Sequence, residues 1–164
     1  MQKCLGIYIE SNIIKYAKVS KEHDDIKIES FGIRFYDGNL GAEVRKIVEE
    51  TFSFNTPISI NLSNEKYLYF DVFALLKKKD IEETVDTEFE TFCDEKKYNK
   101  NAFETRYALM EDIQETEKIR TMQIYVNKID LNRQMQPFEK MSLSKIVPVS
   151  IAIGNIAKVN KSEN

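Results

Sequence analysis

The stretch Leu5–Val19, LGIYIESNIIKYAKV, decides how the rest of the chain is read. Leu5, Ile7 and Ile9 alternate with other residues, and after the polar ESN the alternation resumes, with Ile14 and Tyr16 set opposite Ala17 and Val19. Period two with β-branched and aromatic side chains is a strand signal, and a short polar connection between two such runs makes a hairpin. A third run, IKIESFGIRF at 26–35, alternates Phe31, Ile33 and Phe35 with Ser30, Gly32 and Arg34. With KEHDD as its connection, the three strands form an antiparallel meander. YDGNLG then breaks the pattern with the turn formers Asp37, Gly38 and Asn39.

Outward from the meander, AEVRKIVEETF places Val44, Ile47, Val48 and Phe52 on one helical stripe. PISINLS returns to a strand with Ile58, Ile60 and Leu62 on one face, and Pro57 at its start removes no ladder donor. The pattern restarts at Ser63. KYLYFDVFALL reads as a strand, and the segment from Lys77 to Tyr98 as a helix with Ile81, Val85, Phe89, Phe92 and Cys93 on its apolar face. Asp80 is suited to cap that helix, and Lys96 and Lys97 suit its end. NAFETRYALME is a strand, EDIQETEK a polar loop and IRTMQIYVN a strand. In KIDLNRQMQPFEKM, Leu131, Met135 and Phe138 keep helical spacing, and Pro137 forces a kink or restart. SKIVPVSI reads as a short strand and AIGNIAKVNKSEN as a frayed polar end.

The 164 residues carry 42% apolar and 31% charged side chains and a formal charge of −3, so a nucleic-acid footprint is not expected. No window approaches the roughly 18 apolar residues of a spanning helix. The start of the chain lacks a signal-peptide pattern, so a cytoplasmic protein without direct membrane insertion is expected. Cys4 and Cys93 sit in apolar runs and read as free buried thiols, and two cysteines with one histidine make no zinc signature. His23 reads as a solvated turn residue, and the acidic run Asp80–Glu95 as the wet face of its helix. No Walker loop, dinucleotide glycine fingerprint or nucleophile elbow is present.

The order of hairpin, third strand, helix, strand and then a strand–helix–strand–strand insertion resembles the first half of the actin-like, ribonuclease H-like superfamily. More closely, it looks like the pilus-assembly branch of that superfamily, the PilM family, relatives of the division protein FtsA. That family's opening hairpin reads approximately L-G-I-D-I-G-S-S-S-I-K; here Leu5, Gly6, Ile7, Ile9, Ser11, Ile14 and Lys15 match. Tyr8 stands where the family has its acid, Glu10 where it has glycine, and Asn12 and Ile13 replace small hydroxyl residues. The family's acid helps hold hydrated Mg²⁺, and its glycine lets backbone amides approach phosphate without a Cβ. The hairpin residues Tyr8, Glu10, Ser11, Asn12 and Lys15 are therefore expected to be a degenerate, non-functional nucleotide site. The chain also ends where the family's second phosphate hairpin would begin, so neither ATP nor Mg²⁺ is expected as a cofactor unless a longer protein retains the site.

What the resemblance implies is an α/β fold with a base at 1–62, rejoined by 146–164, and an inserted α/β subdomain at 63–145, built on mixed sheets. It implies a cytosolic scaffold for a type IV pilus or related secretion machine, peripheral to the inner membrane through a partner. That partner is the N-terminal tail of a PilN-like inner-membrane protein, held as an extended peptide in a groove beside the insertion. Tyr67, Tyr69 and Asp71, alternating away from Leu68, Phe70 and Val72, are candidates for that contact, with Arg106 from a neighbouring strand. Self-association is compatible with the same reading. Three rivals stand beside it: an actin-like ATPase domain, the cytoplasmic domain of a type II secretion GspL-like protein, and an interaction module unrelated to pili.

Overall fold

The structure, a computed structural model, describes residues 2–23, 25–110 and 117–152. Its strands and helices are β1 (Gln2–Glu10), β2 (Ile13–Glu22), β3 (Asp25–Phe35), α1 (Leu40–Glu50), β4 (Ile58–Asn61), β5 (Lys66–Phe73), α2 (Lys78–Lys96), β6 (Phe103–Leu109), β7 (Lys118–Asn127), α3 (Lys128–Met135) and β8 (Leu143–Val147). They fall into two compact units, residues 1–63 with 133–164 and residues 64–132. The fold is α/β, with a five-stranded mixed sheet in the first unit and a three-stranded antiparallel sheet in the second.

In the first unit the strands lie in the order β3-β2-β1-β4-β8. The meander is antiparallel, and β1, β4 and β8 run parallel to one another. Leu5, Ile7, Ile14, Ile58 and Ile60 bury one face of this sheet against Val44, Ile47 and Val48 of α1. Asn39 caps α1, its Oδ1 accepting from the Ala42 N–H at 2.9 Å. The helix ends in a paired bond, Phe52 N–H to Glu49 O and Ser53 N–H to Val48 O, with Phe52 at φ 50°. This is the left-handed closure usually given to glycine. It turns Phe52 away from the stripe expected to hold it, and its ring is 81% exposed.

Two further expectations change in this unit. The chain returns to it at Arg133 rather than 146, because Phe138 is buried among Leu5, Ile7 and Val48. Gly41 of α1 makes room for that approach, since a Cβ there would lie 3.3 Å from the Pro137 carbonyl oxygen. Pro137 does restart the helix, as a 3-10 turn over Gln136–Phe138. The run SKIVPVSI is only partly strand: β8 stops at Val147, and Pro148 opens a helical turn whose carbonyl accepts from Ile151 and Ala152.

The second unit stacks α2 on a sheet of order β5-β7-β6. Ile81, Val85, Phe89 and Cys93 are buried, as the spacing implies, and Phe92 is half-buried. Phe89 lies 5.3 Å from Tyr125 and 6.0 Å from Phe103 by ring centroids, and Leu68 packs against the same cluster. Asp80 does not cap α2. Lys77 occupies the cap position with no side-chain hydrogen bond, and Asp80 lies in the first turn. The helix closes at Lys97, φ 57°, with the same paired bonds that end α1.

Cys4 and Cys93 are free thiols, half-buried and buried. His23 sits exposed in its turn, and Glu82, Glu83, Glu88 and Glu90 are exposed along α2. Most of the EDIQETEK loop, and all but the first residue of AIGNIAKVNKSEN, lie outside the described residues.

Candidate functional site

The β1–β2 hairpin closes with a two-residue turn, since Glu10 pairs with Ile13 and Ser11 takes φ 53°. Both carbonyls of that turn are engaged. The Tyr36 hydroxyl donates to Ser11 O at 2.6 Å, and the Tyr36 N–H donates to Asn12 O at 3.0 Å. Tyr8 and Lys15 are directly opposite in the ladder, so they share a face, and Lys15 Nζ lies 5.4 Å over the Tyr8 ring. A cation so placed is held by the ring quadrupole. Glu10 and Asn12 are exposed at the tip.

The carboxyl ends of β1 and β4 meet beside this hairpin, the place where open α/β sheets receive ligands. Here the Asn61 side chain accepts from Ile9 N–H at 2.7 Å and donates to Ile9 O at 3.0 Å, extending the β1–β4 ladder by a side chain. Gln134 continues the chain of amides, donating to Asn61 O at 2.5 Å and accepting from Ser63 N–H at 3.1 Å. The sequence reading missed both residues. Asn61 left one signal, a polar residue closing an apolar strand, but Gln134 lies 73 positions away and left none. A cavity of about 530 Å³ opens alongside, lined by Gly6, Tyr8, Lys15, Ala17, Ser59 and Asn61 among others. Among the described residues Lys15 is the only charged side chain in that lining. Among the described residues no cluster of His, Cys, Asp and Glu is arranged to hold a metal ion.

The second candidate surface lies on the three-stranded sheet. Tyr67 and Arg106 are both register partners of Ile124, and Tyr69 and Ala108 both partner Met122. Directly opposed residues share a face, so Tyr67, Tyr69, Asp71 and Arg106 all lie on the side away from the Leu68–Phe89 packing. The two tyrosine rings stack at 6.5 Å with an 18° interplanar angle, and Tyr69 is 52% exposed. The charged members have neighbours. Arg120 Nε approaches Asp71 at 3.4 Å, while Arg106 meets Glu104 at 2.7 Å and donates to Thr105 O. These pairs are solvent-exposed and cost little to exchange. β5 and β6 are the two edges of this sheet.

No protein-family model matches the chain, and no curated protein sequence matches it. Solved structures do. The chain superposes on the "PilM-PilN type IV pilus biogenesis complex" with a TM-score of 0.69 and 17% identity, covering 88% of this chain and 46% of that one. It superposes on the cytoplasmic domain of EpsL, an inner membrane component of the type II secretion system of Vibrio cholerae, with a TM-score of 0.59 and 11% identity, covering 90% and 57%. A Bacteroides thetaiotaomicron protein with an actin-like ATPase fold and unknown function gives a TM-score of 0.40 and 10% identity, covering 89% and 52%. The chain thus spans about half the length of these proteins. It shares its fold with the PilM structure and the EpsL cytoplasmic domain, at identities that speak to fold alone.

Proposed function

We propose that this chain is a scaffold module of a pilus or secretion machine, and that it takes an extended peptide from a PilN-like inner-membrane partner on the Tyr67–Tyr69 face. The observation that carries this reading is the stacked, half-exposed tyrosine pair on an edge strand, with Arg106 on the same face. An edge strand offers main-chain donors and acceptors to an incoming strand, and alternate side chains supply selectivity. Tyrosine suits such a surface because its ring is apolar and its hydroxyl tolerates water. The fold shared with a PilM–PilN complex favours a PilN-like tail, and the fold shared with EpsL keeps a secretion-machine role as the second reading.

In this proposal the hairpin does no nucleotide chemistry. Tyr8 cannot replace a carboxylate at Mg²⁺, Glu10 brings negative charge toward phosphate, and Lys15 is drawn over Tyr8. A pull-down of the chain against cytoplasmic tails of inner-membrane pilus and secretion proteins tests the reading. Capture of one tail, weakened by Tyr69→Ala and Arg106→Ala, is the expected result; capture of none rejects it.

A further inference from the structure

The turn between β5 and α2 holds apolar side chains in water beside a run of lysines. Phe73 O accepts from the Leu76 N–H at 3.2 Å, closing the turn. Leu75 is 93% exposed within it, and Phe73 beside it is 57% exposed. Lys77, Lys78 and Lys79 follow directly, all exposed, and Lys118 Nζ of β7 lies 5.6 Å over the Phe73 ring.

Leu75 and the lysine run contribute little to folding. Leu75 buries almost nothing, so it adds nothing to a core. Lysines at the start of a helix oppose its dipole, which favours anions there, and α2 also begins without a side-chain cap. Among the described residues, the acids that pair with the run do little to neutralise it. Glu82 and Glu83 sit one turn on and meet Lys78 and Lys79 at 3.9 and 3.5 Å, with all four side chains more than half exposed. Such pairs contribute little. Asp80 in the first turn and Glu117 before Lys118 are the other described carboxylates adjacent in sequence to the lysines.

We propose that this turn is a peripheral membrane contact, in which Phe73 and Leu75 enter the headgroup–acyl boundary of an anionic bilayer and Lys77–Lys79 with Lys118 meet lipid phosphates. Interfacial binding of this kind adds buried apolar area to charge attraction, and lysine stems lie along the apolar layer while their heads stay wet. Two side chains at a turn form a wedge, which a fluid layer closes around; a protein partner calls for a broader complementary face. The contact extends beyond the peptide-binding reading and uses different residues. It also departs from the expectation that the protein reaches the membrane through its partner alone.

Co-sedimentation of the whole chain with phosphatidylglycerol–phosphatidylethanolamine vesicles, against phosphatidylcholine vesicles, tests it. Binding is expected on the anionic vesicles only. It should be lost in Phe73→Ser with Leu75→Ser, and fall roughly a hundredfold when Lys77, Lys78 and Lys79 all become Gln, at about fivefold per lysine. Circular dichroism should show all variants folded, since every altered side chain is exposed. Equal binding to both vesicles, no binding to anionic ones, or variants that bind like the parent would overturn the proposal. So would variants that lose capture of a protein tail while vesicle binding stays absent, which would make the turn a protein contact.

Discussion

Lys18 Nζ donates to the Thr51 carbonyl oxygen at 2.7 Å and to that of Phe52 at 3.2 Å, tying β2 to the end of α1. The lysine is buried, and its charge faces the carbonyl end of the helix, where a cation is favoured. Glu29, 3.5 Å away, gives it a partner of opposite sign. Lys18→Met should therefore cost about 1–3 kcal/mol in urea unfolding, because buried carbonyls lose their donor. Lys21→Met, on the same strand but exposed, should stay within about 0.5 kcal/mol. Equal losses would show that the buried bonds are not what matters.

Phe89 is the hub of the second unit, touching Phe92, Phe103 and Tyr125. Phe89→Ala should destabilise by about 3–5 kcal/mol, the range for a buried aromatic truncation. Glu88→Ala, one position away on the wet face, should change stability by no more than about 0.5 kcal/mol. Thermal unfolding of the two variants side by side distinguishes them.

How much of this was legible in the sequence depends on the range of the interaction. Leu5 and Ile7, the Val44–Ile47–Val48 stripe and the Ile81–Val85–Phe89 stripe carried their own periodicity and are buried as read. Phe52 fits the α1 stripe by spacing, but the bonds that close the helix turn it outward. Phe31, Ile33 and Phe35 announce a strand equally well, yet all three are exposed, because alternation does not say which face a helix covers. The Tyr67, Tyr69, Asp71 and Arg106 grouping followed from alternation within two strands, whereas the Asn61–Gln134 amides depend on a contact no local pattern encodes.

Burial pushes the Cys93 thiol up, assisted by the charges of Asp94 and Glu90, and burial also raises Cys4 against the opposing charge of Lys145. A thiol raised in this way holds less of the reactive thiolate at neutral pH. Ellman's reagent should therefore label both cysteines slowly in the native chain and quickly after unfolding in guanidinium. Fast labelling of Cys93 in the native state would contradict the packing of α2.

The hairpin reading predicts that calorimetry with Mg-ATP gives no binding heat for this 164-residue chain. Glu10→Gly alone should not restore it, since Tyr8 still lacks a carboxylate and still holds Lys15. Micromolar affinity in the parent chain would overturn the reading.

The scaffold proposal is tested most directly by titrating the chain with a synthetic peptide of the cytoplasmic tail of the PilN-like protein from the same genome. The account predicts a micromolar Kd, about −8 kcal/mol, weakened roughly tenfold or more by Tyr69→Ala and by Arg106→Ala. The absence of binding, or one affinity shared by the parent and both variants, would contradict it.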